Sequence, residues 1–275
     1  MTIARALAAA QAQGLARLDA QLLLLHTLGR DQHARAWLLA HDADPLDAPA
    51  AAAFDTLCHR RLAGEPLAYL VGHKEFFGLR LQVDARVLVP RPDTEILVEW
   101  ALELLPRQGA PRVADLGTGS GAIALALKQR RPQANVLAVD RSAEALAVAA
   151  ANAAALGLNV AFRQGSWLDG LDGPFDLIAS NPPYVADADP HLPALAHEPR
   201  AALVAGIDGL DDIRAIVAQA PARLAAGGWL LLEHGWDQAG AVRGLLRAAG
   251  LAEVQSRRDL AGIERCSGGQ RVELG

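Results

Sequence analysis

The sequence predicts a doubly wound α/β domain with a mainly parallel sheet, preceded by a small helical domain. From residue 111 onward, short apolar runs alternate with longer segments of helical spacing, which is the pattern of parallel strands covered by helices. Residues 1–74 show no such alternation and are rich in Ala and Leu at helical spacing. The 275 residues are sufficient for one ordinary domain plus a small one.

The first segment, residues 1–74, is interrupted at Gly14, Gly29, residues 42–49 and Gly64, so we expect four or five short helices. It contains no grouping of catalytic residue types, and its acidic and basic residues nearly balance. We interpret it as an N-terminal helical domain for substrate recognition or as a lid. A purely structural extension is the alternative.

Residues 75–92 have a different pattern. Residues 76–83 alternate apolar and polar side chains, and residues 87–89 follow a short turn, which predicts a β-hairpin connector. Two prolines in residues 90–92 stiffen the junction. Asp93 or Thr94 is then placed to cap a helix that runs to Leu104.

The remaining domain, residues 93–275, reads as alternating strands and helices. Ser142 and Gly157 bound one of its helices by N-cap and C-cap preference. The predicted strands are 112–116, 135–140, 160–162, 175–179, 229–233, 252–258 and 270–274, and the predicted helices are 122–131, 143–156, 211–226 and 238–249.

A glycine-rich turn joins the first strand of this domain to its first helix. Glycines let the backbone approach a ligand closely, and the helix N-terminus offers free N–H groups. The spacing is neither that of a dinucleotide turn nor that of a phosphate loop. The acidic residue before the glycines suits a cationic or zwitterionic ligand. The candidate binding residues here are Asp115, Gly117, Thr118, Gly119, Ser120 and Gly121.

Two further residues extend this candidate site. Asp140 ends the second strand, where a carboxylate can accept both hydroxyls of a ribose. Trp167 follows the third strand and can stack on or beside adenine, with simple packing as the alternative. Because loops at the carboxyl edge of a parallel sheet open together, these residues predict a site for S-adenosyl-L-methionine.

The fourth strand ends in Asn181, Pro182, Pro183 and Tyr184. Two prolines fix φ and remove two N–H donors, so this turn is stiff and rich in acceptors. The Asn181 Oδ1 atom and the Pro182 carbonyl can each accept one hydrogen of a planar NH2 group, while the tyrosine ring covers its face. We interpret these four residues as the catalytic and substrate-binding segment, with Asn181 also at the cofactor.

Composition limits the other classes of function. The net charge of −5 offers no overall basic field for a polyanion, so direct nucleic-acid binding is not expected. Cys58 and Cys266 stand alone, which predicts neither a disulfide framework nor a metal site. No early apolar run is long enough for a membrane span, and the expected compartment is the cytoplasm.

Several motifs together resemble one family, the release factor glutamine methyltransferases, also called HemK or PrmC. The resemblance covers nearly the whole chain from about Arg60, and the helical start more loosely. Asn-Pro-Pro-Tyr also occurs in amino-methylating DNA enzymes, whereas residues 90–95 together with the Glu-Phe-Phe-Gly connector are more specific to this family. The matching segments are residues 64–72, 75–78, 89–95, 115–121, 181–184, 198–199, 202–203, 208–210, 232–235 and 258–262.

This resemblance implies a class I methyltransferase with a Rossmann-like domain. It implies methyl transfer from S-adenosyl-L-methionine to the side-chain nitrogen of the glutamine in the Gly-Gly-Gln loop of class 1 peptide chain release factors. Residues 117–121, Asp140, Trp167 and Asn181 would line the cofactor, and residues 181–184 would hold the glutamine amide. Two alternatives remain: an N6-adenine or N4-cytosine DNA methyltransferase, and a non-catalytic cofactor-binding protein.

Two other features are open from the sequence. The chain carries its own Gly268-Gly269-Gln270, for which we expect a turn before the last strand and not self-methylation. His234 lies in a predicted edge loop, where a lone histidine more often satisfies a local hydrogen bond than acts as a base.

Overall fold

The computed structural model describes residues 1–272, and it divides into two compact units, the first ending at His73 and the second beginning at Lys74. The first unit contains five described helices. They are α1 (Ile3–Ala12), α2 (Arg17–Thr27), α3 (Arg35–Ala40), α4 (Ala48–Leu62) and α5 (Leu67–Val71).

The helices of the first unit form where cap residues and apolar spacing coincide. The Thr2 hydroxyl accepts from Arg5 N at 3.3 Å and begins α1, and the Asp47 carboxylate accepts from Ala50 N at 2.7 Å and begins α4. The apolar faces enclose one core, whose buried members include Leu23 of α2. The prediction of four or five short helices agrees with this arrangement.

A short hairpin follows, formed by β1 (His73–Phe76) and β2 (Leu79–Gln82). The expectation of one strand over residues 76–83 paired with residues 87–89 is wrong. Phe77 and Gly78 both have positive φ, 51° and 77°, and so make the turn inside the predicted strand. Residues 87–89 form no strand, and Val89 N donates to the Glu198 carboxylate at 3.1 Å.

The second unit also contains a seven-stranded sheet of order β5-β4-β3-β6-β7-β9-β8. The first five strands in this order are parallel neighbours, and β9 runs antiparallel between β7 and β8. The strands are β3 (Arg112–Leu116), β4 (Asn135–Asp140), β5 (Ala161–Gln164), β6 (Phe175–Ser180), β7 (Leu224–Glu233), β8 (Ala252–Arg258) and β9 (Glu264–Gln270), and the helices are α6 (Thr94–Leu104), α7 (Ala122–Arg130), α8 (Ala143–Leu156), α9 (Asp211–Gln219) and α10 (Ala239–Ala248).

Two apolar clusters cover the sheet. One contains Leu97 and Trp100 of α6 together with Leu125 of α7, and the other contains Ile213 of α9 and Val242 of α10. The central strands β3 and β6 are buried on both sides, as apolar runs without alternation predict. This is the predicted doubly wound α/β architecture.

Two predicted boundaries in this unit are wrong. The helix expected over residues 211–226 ends at Gln219, because Pro221 cannot continue it, and β7 already begins at Leu224. The strand expected over residues 270–274 is instead β9 (Glu264–Gln270), because Asp259 closes the preceding turn by accepting from Ile263 N at 2.8 Å. Residues 273 and 274 of that prediction lie outside the described residues.

Candidate active site

Three loops meet at the carboxyl edge of neighbouring parallel strands. Leu116 at the end of β3 is in register with Val139 of β4 on one side and with Ser180 of β6 on the other. The glycine-rich turn, Asp140 and the Asn181 segment therefore begin side by side. The prediction that these three loops begin at the same edge of the sheet is confirmed.

Asp115, near the end of β3, is hydrogen-bonded to the glycine-rich turn and to the helix that follows it. Its carboxyl group is fully buried, and Oδ2 accepts from Thr118 Oγ1 at 2.6 Å and from Ala124 N at 3.1 Å. The other oxygen, Oδ1, has no hydrogen-bond partner among the described residues. Burial raises the pKa of Asp115 to about 7, and the neighbouring Asp140 adds to this effect, while the two hydrogen bonds act against it.

The turn itself is held by Asp140. Asp140 Oδ2 accepts from Gly119 N, and Oδ1 accepts from Ser142 N, both at 2.9 Å. Each carboxylate oxygen has a second lone pair, so both remain able to accept a further hydrogen. The predicted role toward two ribose hydroxyls is compatible with this geometry.

A side chain would be too close to neighbouring atoms at both Gly117 and Gly121, but the neighbours differ. A Cβ atom at Gly117 would stand 3.2 Å from Trp167 Cζ3, so its absence lets the indole lie against the turn. A Cβ atom at Gly121 would stand 3.0 Å from Leu125 Cδ1 and 3.2 Å from Ala149 Cβ. Gly121 therefore serves the packing of α7 against α8.

Asn181 is anchored through its amide. Asn181 Nδ2 donates to Thr94 Oγ1 at 3.1 Å, and the Thr94 side chain is buried at the N-terminus of α6. The next residues are also fixed, since Tyr184 N and Val185 N both donate to Leu203 O, at 3.1 and 2.8 Å. The stiff turn expected from two prolines is thus additionally pinned by backbone pairing.

Tyr184 points its hydroxyl at a buried acid. Its Oη donates to Glu233 Oε1 at 3.3 Å, and Glu233 is the last residue of β7. Burial raises the pKa of Glu233 to about 7, and the nearby hydroxyls of Thr94 and Tyr184 act in the opposite direction. Burial also raises the pKa of the Tyr184 hydroxyl above its usual range.

A second buried acid fixes the segment beside this edge. Glu198, only 7% exposed, accepts from Val89 N and forms an ion pair with Arg91. Arg141 Nη2 donates to Ala201 O at 2.5 Å, which joins the end of β4 to the same loop. These contacts hold the loops that enclose the ligand-accessible space.

These loops surround a cavity of about 250 Å³. Seven of the predicted cofactor residues line it, and so does Pro183. Asp115, Gly121, Pro182 and Tyr184 are not among its lining residues. The residues that line it are Ala85, Arg86, Val87, Leu88, Pro90, Thr94, Gly117, Thr118, Gly119, Ser120, Ala122, Ile123, Asp140, Arg141, Ser142, Glu144, Ala145, Gly165, Ser166, Trp167, Asn181, Pro183, Pro199, Ala201 and Ala202.

The sequence did not single out several residues that build this site. Asn152 is buried in α8 and donates to Ser120 O at 2.9 Å and to Gln82 O at 3.0 Å, which ties β2 to the glycine-rich turn. Thr94 was expected only as a helix cap. A buried asparagine on the apolar face of α8 was the one local signal for Asn152.

The two features left open by the sequence, His234 and Gly268-Gly269-Gln270, are not among the residues that line the cavity. Both ring nitrogens of His234 are engaged, Nδ1 with Gly235 O at 2.9 Å and Nε2 with Ser267 Oγ at 2.8 Å. Gly268-Gly269-Gln270 lies within β9 and not in the expected turn, and Gln270 is in register with Trp229. Trp229 precedes Glu233 by four residues in β7, so Gln270 lies about 13 Å along the sheet from Glu233 at the usual rise per residue.

Over residues 1–272, no helix combines the length and apolar character that a bilayer crossing requires. Within the same residues, no group of three or more His, Cys, Asp and Glu side chains is arranged to hold a metal ion.

The fold is that of an α/β methyltransferase, and the cavity lies at the carboxyl edge of its sheet. Residues 94–202 match the family described as methyltransferase small domain, and residues 2–72 match the PrmC N-terminal domain. A crystal structure of a methyltransferase from Pyrococcus furiosus has the same fold, with a TM-score of 0.57 and 20% identity over 78% of this chain and 98% of that one.

More similar relatives define the family. The chain is 55% identical to the release factor glutamine methyltransferase of Bordetella pertussis, over 93% of this chain and 95% of that protein. It is 52% identical to that of Xylella fastidiosa strain Temecula1, over 96% and 97%. The chain belongs to the family of release factor glutamine methyltransferases.

Proposed function

We propose that this chain transfers a methyl group from S-adenosyl-L-methionine to the side-chain nitrogen, N5, of the glutamine in the Gly-Gly-Gln loop of class 1 peptide chain release factors. The observation that carries the proposal is the state of Asn181, whose Nδ2 is already bound to Thr94 while its side chain borders the cavity. Its Oδ1 is then left to accept a hydrogen from a substrate amide.

The cavity suits the proposed cofactor. Asp140 offers carboxylate lone pairs for two hydroxyls, Trp167 offers an aromatic face, and the turn at Gly117 has no side chain. Asp115 Oδ1, which has no hydrogen-bond partner among the described residues, is an acceptor next to this turn, and an acceptor there suits a ligand that carries an ammonium group. S-adenosyl-L-methionine supplies an electrophilic methyl group when bound.

The chain's own contribution is to orient the nucleophile. An amide nitrogen is a weak nucleophile because its lone pair is delocalised into the carbonyl group. Acceptors at Asn181 Oδ1 and the Pro182 carbonyl would hold its two hydrogens, and Tyr184 would cover one face of the amide. Holding reactants in a near-attack geometry can supply several kcal/mol of the barrier, roughly 7–11 in favourable cases.

The partner follows from the same proposal. The unit of residues 1–73 would help to bind the protein substrate. Its helices enclose one apolar core, and their exposed faces are available as a binding surface. The relatives act, by their names, on release factors, which supports a protein substrate and a place in the cytoplasm.

Methyl transfer from labelled cofactor tests the proposal. Purified release factor is compared with its Gly-Gly-Gln variant carrying Gln→Ala and with duplex DNA. Label on the intact factor alone is expected. Label on DNA alone would favour an amino-methylating DNA enzyme, and cofactor binding without any transfer would favour a binding protein.

The site is tested with Asn181→Ala, which should lose nearly all turnover. Asn135→Ala is the matched control, because Asn135 is an exposed amide at the opposite end of β4. Retained turnover in Asn181→Ala would overturn the assigned role of this side chain.

A further inference from the structure

Glu233 is a buried carboxyl group beside the proposed amide receptor. It is 1% exposed, and it pairs with Cys266 of β9 in the sheet register. Tyr184 Oη donates to Oε1, whereas Oε2 has no hydrogen-bond partner among the described residues. A buried, partly unpartnered carboxyl group costs stability, so its contact with Tyr184 of the proposed receptor calls for a functional reason.

Thr94 is hydrogen-bonded to Asn181, and its hydroxyl also influences Glu233. Its hydroxyl oxygen accepts from Asn181 Nδ2 at 3.1 Å, so its own hydrogen is directed elsewhere. Glu233 Oε2 accepts no hydrogen bond of standard geometry from Thr94. The Thr94 hydroxyl is nevertheless one of the two hydrogen-bonding groups that lower the pKa of the Glu233 carboxyl group. Thr94 thus has a hydrogen to donate, and Glu233 Oε2 is a buried acceptor without a donor among the described residues.

The direction of these hydrogen bonds decides what Asn181 presents to the substrate. An asparagine side chain can turn either its oxygen or its NH2 group toward a given neighbour, and the surrounding donors and acceptors select one. An ionised carboxylate accepts hydrogen bonds and donates none. With Glu233 as acceptor, Thr94 donates to it and accepts from Asn181, and Oδ1 stays free.

The opposite direction would disable the receptor. A donor at position 233 could give its hydrogen to Thr94 Oγ1, and Thr94 would then donate to Asn181 Oδ1. Asn181 would turn its NH2 group toward the NH2 group of the target glutamine, and two donors would face each other.

We propose that Glu233 is a positioning residue that sets the direction of the hydrogen-bond chain through Thr94 and so keeps Asn181 Oδ1 as the acceptor for the target amide. Through its other oxygen, Glu233 also holds the hydroxyl of Tyr184. This inference rests on the proposed function, because it requires a substrate that presents an NH2 group.

Glu233→Gln tests the proposal, because glutamine has nearly the same shape but can donate. We expect kcat for a purified class 1 release factor to fall by about tenfold or more, with the KM for S-adenosyl-L-methionine unchanged. Ser267→Ala is the matched control, since it removes a buried polar group of the neighbouring strand that bonds His234. Its kcat should stay within about twofold of wild type.

Thr94→Val provides a second route, because valine keeps the shape and removes the hydroxyl. A fall in kcat similar to that of Glu233→Gln is expected. The double variant should show little further loss, because either change alone breaks the same chain. Independent, additive losses would overturn the proposal, as would wild-type kcat in both single variants.

Folding is checked by calorimetric titration of each variant with S-adenosyl-L-methionine. If Glu233→Gln no longer binds the cofactor, Thr94→Val decides alone, and an unchanged kcat there overturns the proposal. A wild-type chain that leaves the release factor unlabelled overturns the proposed function and this inference together. A labelled release factor with an equally active Glu233→Gln variant overturns only this inference.

Discussion

The indole of Trp167 lies against the backbone of Gly117, where a Cβ atom would stand 3.2 Å from Trp167 Cζ3. Both residues have positive φ, +66° for Gly117 and 51° for Trp167. A left-handed conformation is uncommon for a bulky residue and is retained only where the surrounding structure enforces it. The pair forms one wall of the cavity.

Gly117→Ala should therefore weaken binding of S-adenosyl-L-methionine, by about tenfold, because the added methyl group displaces the indole. Calorimetric titration measures the Kd. Gly157→Ala is the control: Gly157 has a similar φ of +64°, and no atom lies within 4 Å of the position of its Cβ. It should cost stability without changing the affinity, and an unchanged Kd for Gly117→Ala would contradict the expectation.

Turnover should depend on the ionisation of Glu233. Its pKa is raised to about 7 by burial and by Asp93, against the effect of Arg265 and the two hydroxyls. The carboxylate predominates above this pH, and a protonated group that can donate predominates below it. We expect kcat to fall as the pH drops from about 8 to about 6, and Glu233→Gln to be low and flat over this range.

Cys266 also faces Glu233, but burial raises the pKa of its thiol well above the usual value, so the thiol stays neutral in this range. A wild-type profile without any change near neutral pH would contradict a role for the carboxylate.

Stability should decrease as the pH rises through the range in which Asp115 ionises. The pKa of Asp115 is about 7 in the folded chain, against an ordinary value of 3.8, so between these values the unfolded chain has lost a proton that the folded chain keeps. Unfolding is then favoured as the pH rises, by up to about 4 kcal/mol in total, with no further loss above pH 7.

Asp115→Asn should flatten this dependence, measured as the free energy of unfolding in urea at a series of pH values. Asp172, an exposed acid, changed to Asn serves as the control for the loss of one carboxyl group. The same slope in Asp115→Asn and wild type would show that Asp115 is not its source.

Gly268 should be important for packing and not for chemistry. A Cβ atom there would stand 2.5 Å from Leu231 Cδ2 and 2.9 Å from Trp100 Cη2. Gly268→Ala is expected to lower the free energy of unfolding by about 1–3 kcal/mol. Gly244→Ala in α10 has open space around its Cβ position and should leave the protein equally or more stable.

The position of Gln270 in the same strand supports the expectation that this chain does not methylate itself there. Gln270 Nε2 donates to Gly227 O at 2.8 Å, at the end of the sheet away from Glu233. Gln270→Ala should leave any methyl incorporation into the chain itself unchanged, as intact mass would record. If methyl incorporation into the chain were lost in this variant, Gln270 would be a site of self-methylation, contrary to the expectation.

Local sequence determined much of the fold. The strands over residues 112–116 and 135–140 and the helix over residues 143–156 have the predicted bounds, because their periodicity and caps are encoded by adjacent residues. The hairpin and the last strand were misplaced because their turns depend on positive φ at Phe77 and on the side chain of Asp259, which periodicity does not report.

The glycine-rich turn, Asp140 and the Asn181 segment were also readable from the sequence, since each follows a buried strand and parallel strands end at one edge. Tertiary structure alone decided which distant groups complete the site. Thr94 bonds Asn181 from 87 positions away, and Glu233 receives Tyr184 from 49 positions away. Such pairings depend on the strand order and on helix packing, which bring together residues whose local sequence patterns are independent of one another.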